Sequence, residues 1–256
     1  MDFTNKIALI TGTTGIARAV AIKLAALGAK VIALGIDEAG NGALAKDAPS
    51  VTVRRTDVSV PDEVLAAVSE IEQRFGGLDI IVNSAAVHPY GDAVQTSPET
   101  FAKAMAVNVG SIHLTAHFGV PLMRKRGGGV IVNVSSVQGH ACQAGVMAYV
   151  ATKGAIHAMT RAMALDFASD KIRVVSVSPG SVRTPILELA ARTFDGPNAN
   201  IDEAFARFGA AHPIGRIGEP EEVADFIAFI ASDRAGFITG SDHVLDGGLT
   251  AALGVK

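Results

Sequence analysis

The stretch KIALITGTTGIARAVAIKLAALGAKVIALG, residues 6–35, decides the fold. It contains two short apolar runs, at 6–11 and 30–35, separated by a segment whose apolar residues recur every three or four positions. Continuous apolar runs are typical of buried parallel strands, and the spacing between them is typical of an amphipathic helix. A strand, a helix and a second strand in this order predict a right-handed βαβ unit.

The alternation of strand and helix patterns continues along the chain. Further strand-like runs lie at 51–55, 78–84, 129–136 and 172–179, with a possible seventh at 241–246, and helical spacing covers 61–76, 97–127 and 146–169. We therefore predict an α/β fold: one Rossmann-type domain over residues 1–256, with a doubly wound parallel sheet of about seven strands and helices on both faces. The irregular stretch 181–213 is predicted to be a substrate lid within that domain, because long insertions in compact domains commonly cover binding sites.

The composition restricts the class of function. The 256 residues are 49% hydrophobic, with 22 Lys and Arg, 25 Asp and Glu, a net charge of -3 and a single cysteine, Cys142. Charges that nearly cancel, without a basic run, disfavour nucleic-acid binding. One cysteine excludes an intrachain disulfide and fits a reducing compartment. No apolar run approaches the roughly 18 residues of a spanning helix. We predict a cytoplasmic protein with a small-molecule partner and neither a nucleic-acid nor a membrane partner.

Gly12 and Gly15 lie in the turn TGTTG, between the first strand and the first helix. Glycines at such a turn let the backbone approach a pyrophosphate, which the N–H groups of the helix N-terminus bind. Asp37 follows the second strand, where a carboxylate can bind ribose hydroxyls, and Asp57 ends the third strand, beside a predicted adenine position. Each residue also has a plainer interpretation, because glycine and aspartate are common in any turn.

Tyr149 and Lys153, in YVATK, are four residues apart in a helical segment and therefore share one face of the helix. A phenol is a poor base near neutral pH, since its ordinary pKa is about 10. A neighbouring ammonium group lowers that pKa by stabilising the phenolate. Most Tyr and Lys pairs at this spacing are surface residues of a helix without a functional role. The functional interpretation therefore depends on the residues around the pair.

Two further polar residues make the pair more specific. Ser136 ends the fifth strand, at the edge of the sheet where ligands are expected, although a serine there is also a common turn former. Asn108 falls inside the long helix before that strand, an unfavourable position unless its side chain bonds to something or bends the helix. With Tyr149 and Lys153 they can form a proton relay from a substrate hydroxyl through the tyrosine, a ribose hydroxyl, the lysine and water.

These motifs together resemble the short-chain dehydrogenase/reductase family. The resemblance spans the chain and includes the first glycine turn, NSAA at 83–86, NVSS at 133–136, YVATK at 149–153 and SPGSVRTP at 178–185. Its specific part is the Tyr-x-x-x-Lys motif with a serine thirteen residues upstream of the tyrosine.

The resemblance implies a role for each matching residue. Tyr149 is the acid and base, Ser136 polarises the substrate, Lys153 anchors the ribose and lowers the tyrosine pKa, and Asn108 holds the water of the relay. The cofactor-binding residues are then Gly12, Thr14, Gly15, Ile16, Asp37, Asp57, Val58, Asn83, Ala85, Tyr149, Lys153, Pro179, Gly180, Val182 and Thr184. The family also implies no metal and a homotetramer.

The cofactor half departs from the family pattern. The first glycine turn is one residue shorter than usual, and Ala17 stands where a third glycine is common. At the end of the second strand, NAD-preferring members usually carry aspartate, and this chain has Gly35. Thr14 and Ile36 are not the basic residues that bind the 2′-phosphate of NADP, and Asp37 would repel it. Charge therefore predicts NAD, with NADP as the alternative.

Substrate contacts are expected from the loops beside the relay. The candidates are His88, Tyr90, His140, Gln143, Met147, Arg183 and Arg192. Several are polar, which favours a small hydroxylated substrate such as a sugar, a polyol or a related hydroxy acid. The predicted function is hydride transfer between a nicotinamide cofactor and a secondary alcohol or ketone. The alternatives are a biosynthetic reductase of 3-oxoacyl carriers, for which the basic segment LMRKRGG at 122–128 would be the docking site, and a nucleotide-binding regulator without turnover.

Overall fold

The computed structural model describes residues 1–253 and confirms the predicted fold class. Its seven strands form one parallel sheet in the order β3-β2-β1-β4-β5-β6-β7. The strands are β1 Ile7–Thr11, β2 Lys30–Gly35, β3 Thr52–Arg55, β4 Ile80–Asn83, β5 Gly129–Val134, β6 Ile172–Pro179 and β7 Asp242–Leu245. All six runs predicted as strands, and the possible seventh, contain an observed strand.

Helices cover both faces of the sheet. They are α1 Gly15–Ala26, α2 Glu38–Asp47, α3 Pro61–Phe75, α4 Pro98–Met105, α5 Ser111–Lys125, α6 Met147–Asp166, α7 Pro185–Asp195, α8 Ile201–Ala210 and α9 Pro220–Ala231. Successive strand residues point to opposite faces. Ala8 and Ile10 of β1 accordingly pack in the core beneath α1 and α9, whereas Ile7 and Leu9 pack in the core beneath α3, α5 and α6. Within residues 1–253, no helix is both long and apolar enough to cross a membrane.

The helix predictions needed three corrections. The sequence analysis did not predict α2, which contains two glycines and buries only Leu44, so its apolar spacing is weak. The stretch 181–213, predicted to be irregular, holds α7 and α8, which begin after the capping residues Thr184 and Asn200. The predicted helix 97–127 is interrupted between α4 and α5 by a π-helical segment at Ala106–Gly110.

The order of the strands places a crevice at the carboxyl edge of the sheet. Strand order reverses at β1, which pairs with β2 on one side and β4 on the other. Thr11, the last residue of β1, is level with Leu34 and Asn83. The loops after these strands therefore diverge from one edge of the sheet, which is where open α/β sheets bind ligands.

Candidate active site

A cavity of 930 Å³ occupies the carboxyl edge of the sheet. The loops after β1 to β6, the start of α6 and helices α7 and α8 all contribute to its lining. Most of the residues predicted to bind a cofactor lie on this surface. They are Gly12, Thr14, Gly15, Ile16, Asp37, Asp57, Val58, Ala85, Tyr149, Lys153, Pro179, Gly180, Val182 and Thr184.

The glycine turn has the geometry of an anion cradle. Gly12 and Gly15 have φ of 98° and 51°, values that side-chain-bearing residues rarely adopt. A Cβ atom on Gly12 would lie 2.9 Å from Cβ of Ala17, and one on Gly15 would lie 3.0 Å from Cγ2 of Thr184. The first turn of α1 contains no acidic residue, so its N–H groups and the positive end of the helix dipole are available to a phosphate.

The end of β2 is shaped by side chains that fill the space beside Gly35. A Cβ atom on Gly35 would lie 2.5 Å from Oγ1 of Thr13 and 2.8 Å from Oδ1 of Asn41. The aspartate that is common at this position therefore has no room. Asp37, two residues later, is exposed, lines the cavity and caps α2 by accepting a hydrogen bond from the Gly40 N–H at 3.1 Å. Asp37 is thus a capping residue whose exposed carboxylate also lies on the cavity surface, and its binding to ribose hydroxyls stays a prediction.

Asp57 also lines the cavity, and its carboxylate is held in a tight turn. It accepts hydrogen bonds from the hydroxyl of Ser59 at 2.6 Å and from its N–H at 2.9 Å. These two bonds hold the pKa of Asp57 below its usual value. The carboxylate is therefore ionised and fixed in orientation beside Val58.

Asn83 does not line the cavity, although it was predicted to bind the cofactor. It is buried at the end of β4, where its side chain donates to Oδ1 of Asn133 at 2.9 Å and accepts from Thr115 at 2.8 Å. Asn133 in turn donates to Oγ1 of Thr160. This network joins β4 and β5 to α5 and α6 and supports the loops above it, so Asn83 is placed as a structural residue.

Ser136, Tyr149 and Lys153 meet on the cavity wall, as the sequence predicted. Tyr149 and Lys153 are one turn apart in α6, and Nζ of Lys153 lies 5.1 Å from the centre of the Tyr149 ring. The ammonium group of Lys153 donates to the carbonyl of Val134 at 2.9 Å, which ties α6 to the end of β5. Ser136 caps a short 3₁₀ turn at Val137–Gly139, where its hydroxyl accepts from the Gln138 N–H at 3.1 Å.

Burial dominates the ionisation of this pair. It raises the pKa of Tyr149, and the hydrogen-bonding side chain of Ser136 only partly offsets this effect. Burial also lowers the pKa of Lys153 to about 7. The sequence predicted that Lys153 lowers the pKa of the phenol. In the free protein the opposite shift is found, because desolvation disfavours the charged form of both groups and a lysine with this pKa is only partly charged at neutral pH.

Asn108 lies in the middle of the π-helical segment that interrupts the predicted helix 97–127. Its side chain accepts from the Val87 N–H at 2.8 Å and donates both to the Val87 carbonyl at 2.9 Å and to Oγ1 of Thr152 at 3.0 Å. Thr152 lies in α6 between Tyr149 and Lys153. Asn108 therefore joins the loop after β4 to the helix that carries Tyr149 and Lys153, and it does not itself line the cavity.

The segment after β6 forms the side of the cavity predicted to flank the nicotinamide. Thr184 caps α7, and a Cβ atom on Gly180 would lie 2.9 Å from Nε2 of His212 and would clash with it. His212 is buried; its Nε2 accepts from the Ser181 N–H at 3.2 Å, and its Nδ1 is 2.9 Å from the Phe208 carbonyl. His212 thus bonds the end of the 181–213 segment to its beginning. No sequence pattern predicts this role of His212, because its hydrogen-bond partners are backbone atoms.

The predicted substrate residues divide into two groups. His88, Tyr90 and Gln143 line the cavity. The His88 ring lies 4.0 Å from the Tyr149 ring and 4.7 Å from the Tyr90 ring, measured between centroids, and burial lowers the pKa of His88 to about 4. The imidazole beside the Tyr149 phenol is therefore neutral in ordinary buffers.

His140, Met147 and Arg192 do not line the cavity, which corrects their prediction as substrate residues. His140 contacts Asp242 of β7, and Arg192 donates to the Pro197 carbonyl at the end of α7. Arg183 pairs with Glu219. The segment 181–213 also gives the cavity an apolar lining that was not predicted, from Ile186, Leu187, Ala190, Phe194 and Phe208. The spacing of the first four marks an apolar face of α7, but sequence alone does not show what that face covers.

Comparison with known proteins agrees with this geometry. A sequence model described as enoyl-(acyl carrier protein) reductase matches residues 10–250. L-fucose dehydrogenase of Bos taurus is 36% identical over 256 residues, covering 99% of this chain and 93% of its own. The chain belongs to the short-chain dehydrogenase/reductase family. The predicted resemblance is confirmed, and the protein is an oxidoreductase that acts on CH–OH groups with a nicotinamide cofactor and a small-molecule substrate.

Other members of the family resemble the chain over its whole length. Meso-2,3-butanediol dehydrogenase of Serratia marcescens is 34% identical and covers 99% of this chain and 98% of its own. Among solved structures, the ligand-free aldohexose dehydrogenase of Thermoplasma acidophilum has a TM-score of 0.93 at 32% identity, covering 99% of this chain and 97% of its own.

Proposed function

We propose that the protein oxidises a secondary alcohol of a small sugar or polyol, or reduces the corresponding ketone, with NAD as cofactor. The observation that carries this proposal is the placement of Ser136, Tyr149 and Lys153 on the wall of the same cavity that the Gly12–Gly15 cradle lines. The positive φ angles and the absence of side chains at both glycines fit a pyrophosphate. When bound, the nicotinamide supplies the site that accepts or gives the hydride.

Each residue of the chain has a defined task in this proposal. Ser136 donates a hydrogen bond to the substrate oxygen and holds it beside the phenol. Tyr149 takes the hydroxyl proton during oxidation and returns it during reduction. Lys153 supplies positive charge next to the phenol, and the positive charge of the oxidised cofactor offsets the rise in the Tyr149 pKa that burial causes. Asn108 holds the Tyr149 and Lys153 turn of α6 in place through Thr152.

The charges near the end of β2 support NAD over NADP. Asp37 lines the cavity here, and a carboxylate repels a 2′-phosphate while it accepts hydrogen bonds from a 2′-hydroxyl. The cavity lining contains two lysines whose positive charge could attract a 2′-phosphate. Lys153 lies beside Tyr149, at the reacting end of the cavity, and the positive charge of Lys103 acts on Asp57. The Oδ1 atom of Asn41, buried beside Gly35, has no hydrogen-bond partner within residues 1–253 and adds acceptor character to this corner.

The walls around Tyr149 support a compact, hydroxylated substrate. Gln138, Gln143, His88 and Tyr90 supply polar groups, and the lid adds apolar side chains. Relatives of the chain include dehydrogenases of L-fucose, of cyclohexanol and of meso-2,3-butanediol. A ring or a short chain that carries a secondary hydroxyl is common to these names, which supports the sugar or polyol class.

We propose that residues 181–213 act as the substrate lid. Phe194 of α7 and Phe208 of α8 line the cavity, and Phe194 packs edge-on against Tyr90 at 5.6 Å between ring centroids. The His212 contacts described above anchor the end of the segment. Closure of this lid over the substrate would exclude water from the Tyr149 hydroxyl.

The description of the matching family model raises the alternative of an acyl-carrier reductase. That function needs exposed basic residues near the crevice to bind the acidic carrier. The predicted docking segment 122–128 instead comprises the last turn of α5 and the connection to the start of β5, at the edge of the sheet opposite the cavity. Its three cations are already paired: Arg124 with Asp170, Lys125 with Glu72 and Arg126 with Asp79.

The experiment is a spectrophotometric assay of nicotinamide reduction with a panel of substrates. The panel contains aldohexoses, 6-deoxyhexoses, vicinal diols and cyclohexanol, each with NAD and with NADP, and a 3-oxoacyl thioester in the reverse direction. We expect the highest kcat/KM with a sugar or diol and NAD. Preference for the thioester would support the carrier reductase, and cofactor binding without turnover on any compound would support a regulator.

We further propose a cytoplasmic homotetramer. Large apolar side chains are exposed on the surface, including Leu165 at 81% and Phe237 at 104% of their full accessibility, and oligomerisation would cover them. Sedimentation velocity of the wild-type chain tests this assembly. A monomer at micromolar concentration would contradict it. The free and exposed Cys142 fits a reducing compartment.

A further inference from the structure

A cluster of titratable side chains lies outside the lining of the catalytic cavity. His140 follows the 3₁₀ turn after β5, His157 lies in α6, and Asp242 begins β7. One ligand atom from each of the three lies within 4.8 Å of the others. The proposed hydride transfer makes no use of this group.

Both imidazole rings direct their Nε2 atom toward the carboxylate of Asp242. The rings of His140 and His157 are stacked, with centroids 4.3 Å apart and an angle of 23° between their planes. Nε2 of His140 lies 2.6 Å from Oδ2 of Asp242, and Nε2 of His157 lies 3.5 Å from Oδ1. Donor atoms from three separate parts of the chain therefore lie within 4.8 Å of one another.

Neighbouring groups hold these donors in position. The hydroxyls of Ser176 and Ser178 donate to Oδ1 of Asp242 at 2.6 and 2.8 Å, which fixes the carboxylate and leaves Oδ2 toward His140. The His157 ring fits only because residue 139 is glycine, since a Cβ atom there would lie 2.4 Å from Cε1 of the ring. Hydrogen bonds of this kind, from outer groups to ligating side chains, are a regular feature of protein metal sites.

We propose that His140, His157 and Asp242 form a binding site for a divalent transition-metal ion, with Zn²⁺ as the best match. Two imidazoles and one carboxylate suit zinc, whereas Mg²⁺ prefers an all-oxygen set. Zinc–nitrogen bonds of about 2.0–2.1 Å imply separations of about 3.3 Å between tetrahedral ligands. His157 and Asp242 already have such a separation, and His140 and Asp242 must move apart by less than about 1 Å to reach it. His140 is half-exposed, so water completes the coordination.

The ion would clamp the connection between β5 and α6. That connection carries Ser136 and Gln143 on the cavity wall and ends at the helix of Tyr149. Binding would join it to β7 through Asp242. His157 would bind the ion through Nε2 and would give up its contact with the Ser178 hydroxyl, 3.0 Å away. The inference concerns binding and rigidity and does not depend on the proposed substrate or cofactor.

The test is calorimetric titration of the full chain with ZnCl₂ after removal of metals with a chelator. We expect one saturable site per chain in the wild type and none for MgCl₂. His140→Gln keeps a polar side chain next to Asp242 but removes an imidazole ligand. We expect it to weaken Zn²⁺ binding by more than the roughly 10–100-fold that loss of an outer-shell partner costs. Asp242→Asn should weaken binding in the same way.

The matched control is His113→Ala/His117→Ala. These two exposed histidines lie four residues apart in α5, with ring centroids 5.6 Å apart, and form a rival pair of zinc ligands. The control should leave the affinity and the one-to-one stoichiometry unchanged. Circular dichroism of each metal-free variant checks the fold, and X-ray absorption of the zinc complex should show two nitrogen ligands from imidazole. The proposal is overturned if the wild type shows no saturable Zn²⁺ uptake, or if the control and not His140→Gln abolishes it.

Discussion

The two ends of the crevice are built in different ways. At the reacting end, Tyr149 and Lys153 are 7% and 3% exposed, and both belong to one helix that is bonded to β5 and to the π-helical segment. At the β2 end, Asp37 is exposed and is held by a single hydrogen bond to the first turn of α2. The first end is fixed by packing and by buried hydrogen bonds, whereas the second presents one charge to solvent.

This difference in burial predicts which end of the crevice tolerates substitution. A buried pair of ionisable groups is costly to rearrange, because every unpaired group in the interior carries a desolvation penalty. The exposed carboxylate of Asp37 can change with little effect on the fold. We therefore expect changes at the reacting end to alter the rate and the stability strongly, and changes at the β2 end to alter mainly the choice of cofactor.

The largest effect is expected for Tyr149→Phe. This change removes the proposed acid and base but keeps the ring that packs against His88. We expect kcat to fall about 10³-fold, within the range for loss of general acid–base catalysis. The dissociation constant of NAD should change little. It can be measured from the ability of NAD to displace the fluorescent reduced cofactor.

Tyr90→Phe is the matched control, because the chain has only two tyrosines and both line the cavity. It should lower kcat/KM by no more than about tenfold, the value of one hydrogen bond. Equal losses of kcat/KM in Tyr149→Phe and Tyr90→Phe would contradict the proposed acid–base role of Tyr149.

The second-largest effect is expected for the contribution of Lys153 to the pH dependence of the free energy of unfolding. Its folded-state pKa of about 7 lies below the ordinary value of 10.5, so between these values the unfolded chain binds a proton that the folded chain does not. The free energy of unfolding of the wild type should therefore rise with pH across this window, relative to Lys153→Met, by on the order of 5 kcal/mol. Below the folded-state pKa the difference should be constant, with the variant more stable.

Urea unfolding at a series of pH values measures this difference. Lys103→Met is the control, because it removes an exposed lysine from the lining of the same cavity, whose ammonium group stays in water. Its stability should follow the wild type across the window. A constant difference between wild type and Lys153→Met over the whole window would show that the buried lysine keeps its charge.

The sequence predicted the reacting end better than the β2 end for a physical reason. Tyr149, Lys153 and Ser136 are related by local spacing on a helix and by one strand end, and both patterns are visible in a single chain. The space beside Gly35 depends on Thr13 and Asn41, which reach it from other turns. The partner of His140 lies 102 residues away, and the lining of the lid depends on how α7 and α8 pack. Sequence spacing carries no information about such contacts.

The third prediction tests the crowding at the β2 end with Gly35→Asp. The family pattern alone suggests that aspartate here improves NAD binding. We expect instead a loss of about 1–3 kcal/mol of stability from overpacking against Thr13 and Asn41, together with weaker NAD binding. Adding Thr13→Ala, which removes both of the Thr13 atoms that crowd position 35, should restore most of the stability, as measured by urea unfolding.

Gly42→Asp makes the same substitution in α2, where a new Cβ atom would have no neighbour within 4 Å. It should change the stability by less than about 0.5 kcal/mol, as is usual for a surface position. If Gly35→Asp is as well tolerated as Gly42→Asp, the observed crowding does not limit this corner.

The smallest effect is expected for Asp37→Asn, which isolates the charge at the β2 end. Asparagine is as good an N-cap as aspartate, so the hydrogen bond from the Gly40 N–H and the start of α2 should be kept. Removing the negative charge should raise kcat/KM for NADP relative to NAD about tenfold, equivalent to about 1.4 kcal/mol of repulsion. Glu38→Gln, which removes the adjacent carboxylate outside the cavity lining, should change the ratio much less. Since screening weakens interactions between exposed charges, the gain in Asp37→Asn should shrink as salt is added. A ratio that stays unchanged in Asp37→Asn would mean that shape at Gly35 and Thr13, and not charge, selects the cofactor.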